Sequence, residues 1–296
     1  MRLFRKSVDL SRATPRILTP ADLPVVSRLL RDAPRRYYGL SSGDLVPLLE
    51  AQQGIGLELG QEICALAMLG WPIAATCWLR ALALAEGVEV QAGVAALLAA
   101  LRPVLAARDM QSLFYAGDEG SDGWLVPLLK QAGFGVETDV LVYEKRRLDW
   151  PTLGPERVQI RPAALVDLAE VLRLDQCCFE PQWVKDSLIM RDALAQGPYF
   201  MLAEQDGALL GYAYATTHFQ GRLVHLVRIA VAPEQRGLGI GVRLLADLVG
   251  YAKQLPAHVL TLNTQAYNAR AQRLYHWFGF RPTGEAQQVL RLGVRG

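Results

Sequence analysis

The sequence predicts two tandem α/β domains, each a mixed, mostly antiparallel sheet flanked by helices. Its 296 residues are too many for one ordinary core and suit two domains. Hydrophobic residues make up 51% of the chain and charged residues 20%, which is typical of globular proteins. In addition, patterns in the first half recur in the same order in the second half, as expected of a duplicated domain.

The internal repeat consists of three pairs of similar segments. The clearest pair, LLKQAGFGVETDVLVYE and LYHWFGFRPTGEAQQVLRL, reads in both copies as the end of a helix, then Gly-Phe, then a strand. The pairs are 19–30 with 164–174, 56–69 with 199–213, and 128–144 with 274–292. The halves meet at LDWPTLGPERV (148–158), whose two prolines and glycine indicate a linker. We therefore predict domains over 1–148 and 157–296.

Hydrophobic periodicity and turn residues predict the order of elements in the second domain. The predicted elements are a strand (158–161), helical segments (164–176 and 183–195), a hairpin of strands (198–205 and 208–218), a strand (222–232), a helix (240–253), a strand (258–263), a helix (268–277) and a last pair of strands.

One apolar stretch of the first domain, residues 63–85, is long enough to cross a membrane and carries one charge, Arg80. Gly70-Trp71-Pro72 near its middle indicates a turn, so two buried strands are the favoured interpretation. The basic N-terminus is not followed by the apolar region of a signal peptide. We therefore expect a cytoplasmic protein that does not bind a membrane.

Composition gives no indication of nucleic acid or metal binding. Net charge is +2 and the arginines are scattered, which does not favour a nucleic-acid partner. The four cysteines and four histidines lack the spacing of metal ligands. Reduced, buried thiols are the simplest interpretation of the cysteines.

The stretch VAPEQRGLGIGVRLL (231–245) places several glycines where a predicted strand gives way to a helix. Successive backbone N–H groups in such a turn can form an anion-binding nest, and the helix N-terminus adds unpaired N–H groups. The pattern therefore predicts a ligand with a phosphate or pyrophosphate. Val242-Arg243 stands where a Walker loop needs Lys-Ser/Thr, and the spacing is not Gly-x-Gly-x-x-Gly. A plain glycine-rich turn remains the alternative.

A second motif, NARAQRLYHWFGF (268–280), places Asn268 at a helix start, where its side chain can cap backbone N–H groups. Arg-x-x-Gly-x-Gly after VAP, followed by Asn-x-x-Ala-x-x-Leu-Tyr-x-x-x-Gly-Phe, resembles the GNAT N-acetyltransferases. The resemblance covers residues 157–296.

The resemblance implies acetyl-coenzyme A as cosubstrate. It implies that the loop backbone cradles the pyrophosphate and that a strand edge pairs with the pantetheine arm. The implied cofactor residues are Ile229, Ala230, Val231, Gln235, Arg236, Gly237, Leu238, Gly239, Ile240, Gly241 and Asn268. An amine would attack the thioester directly, with Tyr275 as the general acid for the departing thiolate. A core aromatic is the alternative role for Tyr275.

The general base is harder to assign, because some family members carry a glutamate where this chain has Asn263. We predict His225, which matches a catalytic histidine of other members and has a suitable ordinary pKa near 6.5. A packed or exposed histidine is the alternative. Glu180 could act through water, and an α-amine, with a pKa of about 8, needs no base.

The expected acceptor-site residues are FEPQW (179–183), Tyr212, Tyr214 and Arg228. Arg228 could bind an acceptor carboxylate or be a solvated strand residue.

The first domain lacks the corresponding features. Its equivalent of the glycine loop, residues 84–98, contains Glu86 and Glu89 instead, and Leu129 stands in the place of Tyr275. We therefore predict that the first domain binds no acetyl-CoA. The expected partner is a small-molecule or peptide amine, acetylated by a monomer or homodimer. The alternative function is a non-catalytic CoA-binding regulatory or structural protein.

Overall fold

The computed structural model describes residues 8–40 and 43–294. It divides the chain into two compact units: unit 1 is Met1–Glu137 with Gln287–Gly296, and unit 2 is Thr138–Ala286. Both units are α/β, as predicted. The ends of the predicted domains, residues 1–7 and 295–296, lie outside the described residues.

The unit boundaries differ from those predicted at 148 and 157. The strand Gly135–Lys145 carries the chain into unit 2, because its residues 140–145 pair antiparallel with residues 260–265. The segment 148–158 is not a linker between the units. It lies within unit 2, where Val158 is buried in the core and Leu148 and Trp150 pack against that core.

Unit 1 contains one sheet and four α-helices among its described residues. The strands are β1 (Thr14–Ile17), β2 (Arg35–Tyr38), β3 (Gly54–Leu59), β4 (Glu62–Leu69), β5 (Thr76–Leu84) and β6 (Ser112–Ala116). The helices are α1 (Leu23–Asp32), α2 (Leu45–Glu50), α3 (Val90–Ala107) and α4 (Glu119–Gln131). The order is β1-β3-β4-β5-β6, with β2 also on β5, and only β5 and β6 among these pairs run parallel.

Unit 2 repeats this plan. The strands are β7 (Gly135–Lys145), β8 (Gln159–Pro162), β9 (Tyr199–Gln205), β10 (Ala208–His218), β11 (Leu223–Val231) and β12 (Val259–Gln265). The helices are α5 (Leu168–Cys178), α6 (Ser187–Gln196), α7 (Ile240–Lys253) and α8 (Ala269–Trp277). The order is β7-β12-β11-β10-β9-β8, and the β11–β12 pair is parallel. Each sheet is therefore mixed and mostly antiparallel, as the sequence predicts.

The predicted last pair of strands is wrong. One strand, β13 (Arg281–Gly293), occupies this part of the chain, and Gly284 adopts φ +91° within it without ending it. Residues 289–293 pair with β6, so the end of the chain returns to the sheet of unit 1.

Apolar faces at helical and strand spacing build the two cores. In unit 2, Leu244, Leu245, Leu248 and Val249 of α7 are fully buried against the sheet. The apolar stretch 63–85 forms β4 and β5, as favoured above. Helix α3 is the one described helix whose length and composition would allow it to span a membrane, and its residues Val94–Leu105 contribute to the core of unit 1.

Candidate functional site

A cleft opens in the sheet of unit 2 where β11 and β12 separate. Parallel pairing joins Leu223–Leu226 to Val259–Leu262, and no later pair links these strands within the described residues. At this point the pairing of β11 with β10 skips Val227, which forms a β-bulge. A bulge bends the strand that carries it. The resulting cleft of about 690 Å³ is lined by residues 227–231 on one side and 263–265 on the other.

The glycine loop lies at one end of this cleft, and its glycines meet different needs. Gly237 and Gly239 adopt φ +94° and +81°, a region that favours glycine. Gly241 is helical, and a Cβ there would lie 3.3 Å from Leu274 Cδ2. The sequence thus contains glycine for turn geometry at two positions and for close packing at a third.

Helix α7 begins at this loop without a side-chain cap. Its N-cap is Gly239, and the first backbone hydrogen bond runs from Arg243 N–H to Gly239 O at 3.0 Å. The N–H groups at the start of a helix have no intrahelical acceptor. Those of residues 239–242 are therefore available to an anion, which the helix dipole also favours.

The structure brings nearly all the predicted cofactor residues to one cleft. Ten of them line it, and Leu238 is the exception, with 49% of its surface exposed away from the cleft. Arg236 fixes the loop to the strand end, because its Nε donates to Val231 O at 3.1 Å. Asn268 caps α8, as predicted, by accepting the Ala271 N–H at 3.2 Å.

Tyr275 lies on the cleft wall and is almost fully buried. Its ring packs between Tyr143 and Phe280, at centroid distances of 6.2 and 6.0 Å. Its hydroxyl has no hydrogen-bond partner within the described residues. Burial raises the pKa of the Tyr275 phenol above its usual value, so the hydroxyl stays protonated at neutral pH. The side chain therefore carries its proton at the cleft wall.

His225 is not on the cleft wall. It precedes the bulge, in the part of β11 still paired with β12, and its Nδ1 lies 2.9 Å from Thr261 Oγ1. Burial, and then the nearby His218, lower the pKa of His225. Its position does not support the prediction that it deprotonates an acceptor.

Arg228 lies on the cleft wall but matches neither predicted role. Its Nε and Nη2 each donate to the fully buried carboxylate of Asp175 at 2.8 Å. Its guanidinium also stacks on the Phe179 ring, 3.4 Å from the centroid. It is thus neither solvated nor free for an acceptor carboxylate.

Tyr212 and Tyr214 are buried in the core rather than in the cleft, because both stack on Phe200. The Tyr212 hydroxyl donates to Asp175, a residue that sequence reasoning missed. The sequence signal that could have identified Asp175 as buried is its position on the apolar face of α5, one residue after Leu174 and four after Val171.

Hydrogen bonds join the segment after α5, at Glu180 and Trp183, to Tyr267, which follows β12 on the other side of the cleft. Tyr267 donates from its hydroxyl to Glu180 Oε2 at 3.0 Å, and Trp183 Nε1 donates to the Tyr267 hydroxyl at 2.9 Å. Glu180 is the one carboxylate among the described residues that line the cleft, and Asn263 is exposed on the opposite wall. Tyr267 was not predicted, since nothing in the local sequence distinguishes it.

Comparisons with known proteins agree with this geometry. Residues 168–280 match the model of the Acetyltransferase (GNAT) family. A Bacillus subtilis protein named for alanine N-acetylation of ribosomal protein bS18 is 31% identical over 130 residues, 43% of this chain and 83% of that protein. The L-methionine sulfoximine/L-methionine sulfone acetyltransferase of Salmonella typhimurium is 31% identical over 94 residues, 30% of this chain and 54% of that protein.

The fold likeness extends over both units. A tandem GNAT protein from the clavulanic acid biosynthesis pathway superposes with a TM-score of 0.59 at 15% identity, covering 96% of this chain and 99% of that one. Fold, cleft and relatives together define an acyltransferase. The chain belongs to the GNAT acetyltransferase family.

Proposed function

We propose that the cleft of unit 2 transfers an acetyl group from acetyl-CoA to a primary amine. The observation that carries this proposal is the set of uncapped N–H groups at residues 239–242, beside a strand edge that ends in the same cleft. A diphosphate suits the first feature and an extended amide-containing arm suits the second.

The residues present fit the cosubstrate. The amides at the start of α7 would hold the pyrophosphate, and Gly237 and Gly239 provide the left-handed turns of the loop that leads to them. The edge at Ile229–Val231 would pair with the pantetheine arm through main-chain hydrogen bonds. Asn268 uses its Oδ1 as a helix cap, which leaves its amide N–H groups to donate to the arm.

Tyr275 would supply the proton that the departing thiolate needs. An ordinary thiol has a pKa near 8.5 and a phenol near 10, so this transfer is uphill by roughly 2 kcal/mol in water. Burial raises the pKa of both groups, because it disfavours both anions. The cleft therefore keeps Tyr275 protonated and at the same time makes the thiolate a stronger proton acceptor.

Glu180 would accept the proton of the acceptor ammonium, directly or through a water molecule. It replaces His225 in this role because it lines the cleft and His225 does not. Asn263 cannot take a proton. The acceptor is a small-molecule or peptide amine. The names of the two relatives support this, because one refers to a ribosomal-protein alanine and the other to amino-acid derivatives.

A non-catalytic CoA-binding protein is the competing function, and the amide of Asn263 on the cleft wall favours it. Incubation with acetyl-CoA and a broad amine panel, while free thiol is measured, separates the two. We expect amine-dependent thiol release. Tight acetyl-CoA binding without acceptor-dependent release across the panel would establish the competitor instead.

A further inference from the structure

Unit 1 contains the counterpart of the strand separation that opens the cleft of unit 2. Strands β5 and β6 pair in parallel at Thr76–Trp78 with Ser112–Phe114, and then separate. The continuing edge of β5, residues 81–84, corresponds to the edge of β11 at residues 228–231. In unit 2 that edge faces the cleft.

In unit 1 this edge is already paired. Strand β2 runs antiparallel to it, with Arg35–Tyr38 opposite Ala81–Leu84. The other edge of the same residues pairs with β4. The main chain of β2 thus occupies the position that an extended ligand would take in unit 2.

The side chain of Tyr37 fills the gap between the separated strands. Its hydroxyl lies 2.9 Å from Ala116 O, at the end of β6, and 3.3 Å from Leu79 O, in β5. Its ring packs edge-on against Tyr115, with centroids 5.0 Å apart, and only 4% of the residue is exposed. One side chain therefore joins the two strands where unit 2 has open space.

The helix N-terminus of unit 1 is occupied as well. The carboxylate of Glu89 accepts the N–H of Gln91 at 3.0 Å and that of Ala92 at 2.6 Å. These hydrogen bonds lower the pKa of the Glu89 carboxylate and keep it ionised, and the bond from Ala92 has the largest effect. The corresponding position before α7 is Gly239, which has no side chain to offer.

We infer that unit 1 fills its own cofactor site with parts of the chain. Strand β2 takes the place of a pantetheine arm, and Glu89 takes the place of the pyrophosphate. Unit 1 is therefore closed to coenzyme A by occupancy of its site, and this inference rests on the cofactor cleft proposed for unit 2.

A sequence difference accompanies the different conformations of this segment in the two units. Arg35 is the third residue after α1 and begins β2, whereas the third residue after α5 is Pro181. Proline has no N–H to donate to a strand ladder. In unit 2 the segment instead forms a short 3₁₀ turn at Pro181–Trp183, on the rim of the cleft.

Hydrogen exchange of the full chain, read by mass spectrometry with and without acetyl-CoA, tests this inference. We expect the amides of residues 81–84 and 91–92 to be protected without cofactor and unchanged by it. Residues 229–231 and 239–242 should slow on its addition, by about tenfold or more for an amide that gains a ligand hydrogen bond. A cofactor-dependent change in residues 81–92 overturns the inference alone, whereas no change in unit 2 overturns the proposed function as well.

Tyr37→Phe tests whether the internal ligand is held as described. Loss of one hydroxyl hydrogen bond should speed the exchange of residues 81–84 by about fivefold and leave acetyl-CoA turnover unchanged. Tyr38→Phe is the matched control, because Tyr38 is 43% exposed in the same strand, and it should change neither quantity. Unaltered exchange at residues 81–84 in Tyr37→Phe would overturn the account.

Discussion

Replacement of Tyr275 by phenylalanine removes the proposed general acid and little else. The hydroxyl has no protein hydrogen bond to lose within the described residues, while the ring keeps its contacts with Tyr143 and Phe280. The free energy of unfolding should therefore change by less than about 1 kcal/mol. Acid–base catalysis by a positioned side chain contributes about 10²- to 10⁴-fold, so kcat should fall by about 100-fold or more.

The assay is steady-state thiol release with a saturating amine, combined with calorimetry of acetyl-CoA binding. The phenol works in its protonated form, and burial raises its pKa. Ionisation of Tyr275 should therefore cause no decrease in wild-type kcat at any pH up to 10. Tyr143→Phe is the control, since that hydroxyl bonds Gln272 at 3.3 Å instead. A kcat within about threefold of wild type for Tyr275→Phe, or a loss confined to acetyl-CoA affinity, would refute this role.

Three further substitutions test other parts of the structure. Asp175→Asn leaves the buried Arg228 guanidinium without its counter-charge and should lower the free energy of unfolding by about 3–5 kcal/mol in urea titrations, whereas the exposed Asp192→Asn should have almost no effect. Glu180→Gln should lower kcat by about 100-fold at neutral pH without changing the Kd of acetyl-CoA, and an unchanged kcat would exclude Glu180 as the base. Gly250→Ala, within α7 and with open space around the added Cβ, should stabilise the protein by up to about 1 kcal/mol, and a lower Tm would show that this helix position is not as described.

Local patterns in the sequence were enough to predict the glycine loop and the helix after it. The spacing of glycines before an apolar helical repeat is contained within a few residues, and α7 spans the predicted residues 240–253. The motif around Asn268 is equally local, so its cap was also predicted correctly.

Features that depend on distant residues could not be predicted. The Arg228–Asp175 pair joins residues on different elements, and its formation removes Arg228 from the acceptor site. His225 lies outside the cleft because β11 still pairs with β12 at that residue, and the point at which the two strands separate has no sequence signal. Strand β2 consists of RRYY, which has no alternation of apolar and polar residues to indicate a strand, and its partner β5 lies far along the chain.

The most direct measurement is a calorimetric titration of acetyl-CoA into the wild-type chain and into Gly239→Asp. The Asp variant adds a carboxylate at the N-cap of α7, and Gly239→Asn, an uncharged side chain of the same size on the same left-handed backbone at φ +81°, is the control for backbone strain. We expect one acetyl-CoA per wild-type chain and at least tenfold weaker binding to Gly239→Asp than to Gly239→Asn, because only the carboxylate competes with an anion at the start of the helix. Two equivalent sites per chain, or wild-type affinity in Gly239→Asp, would contradict the claim that these amides bind the diphosphate.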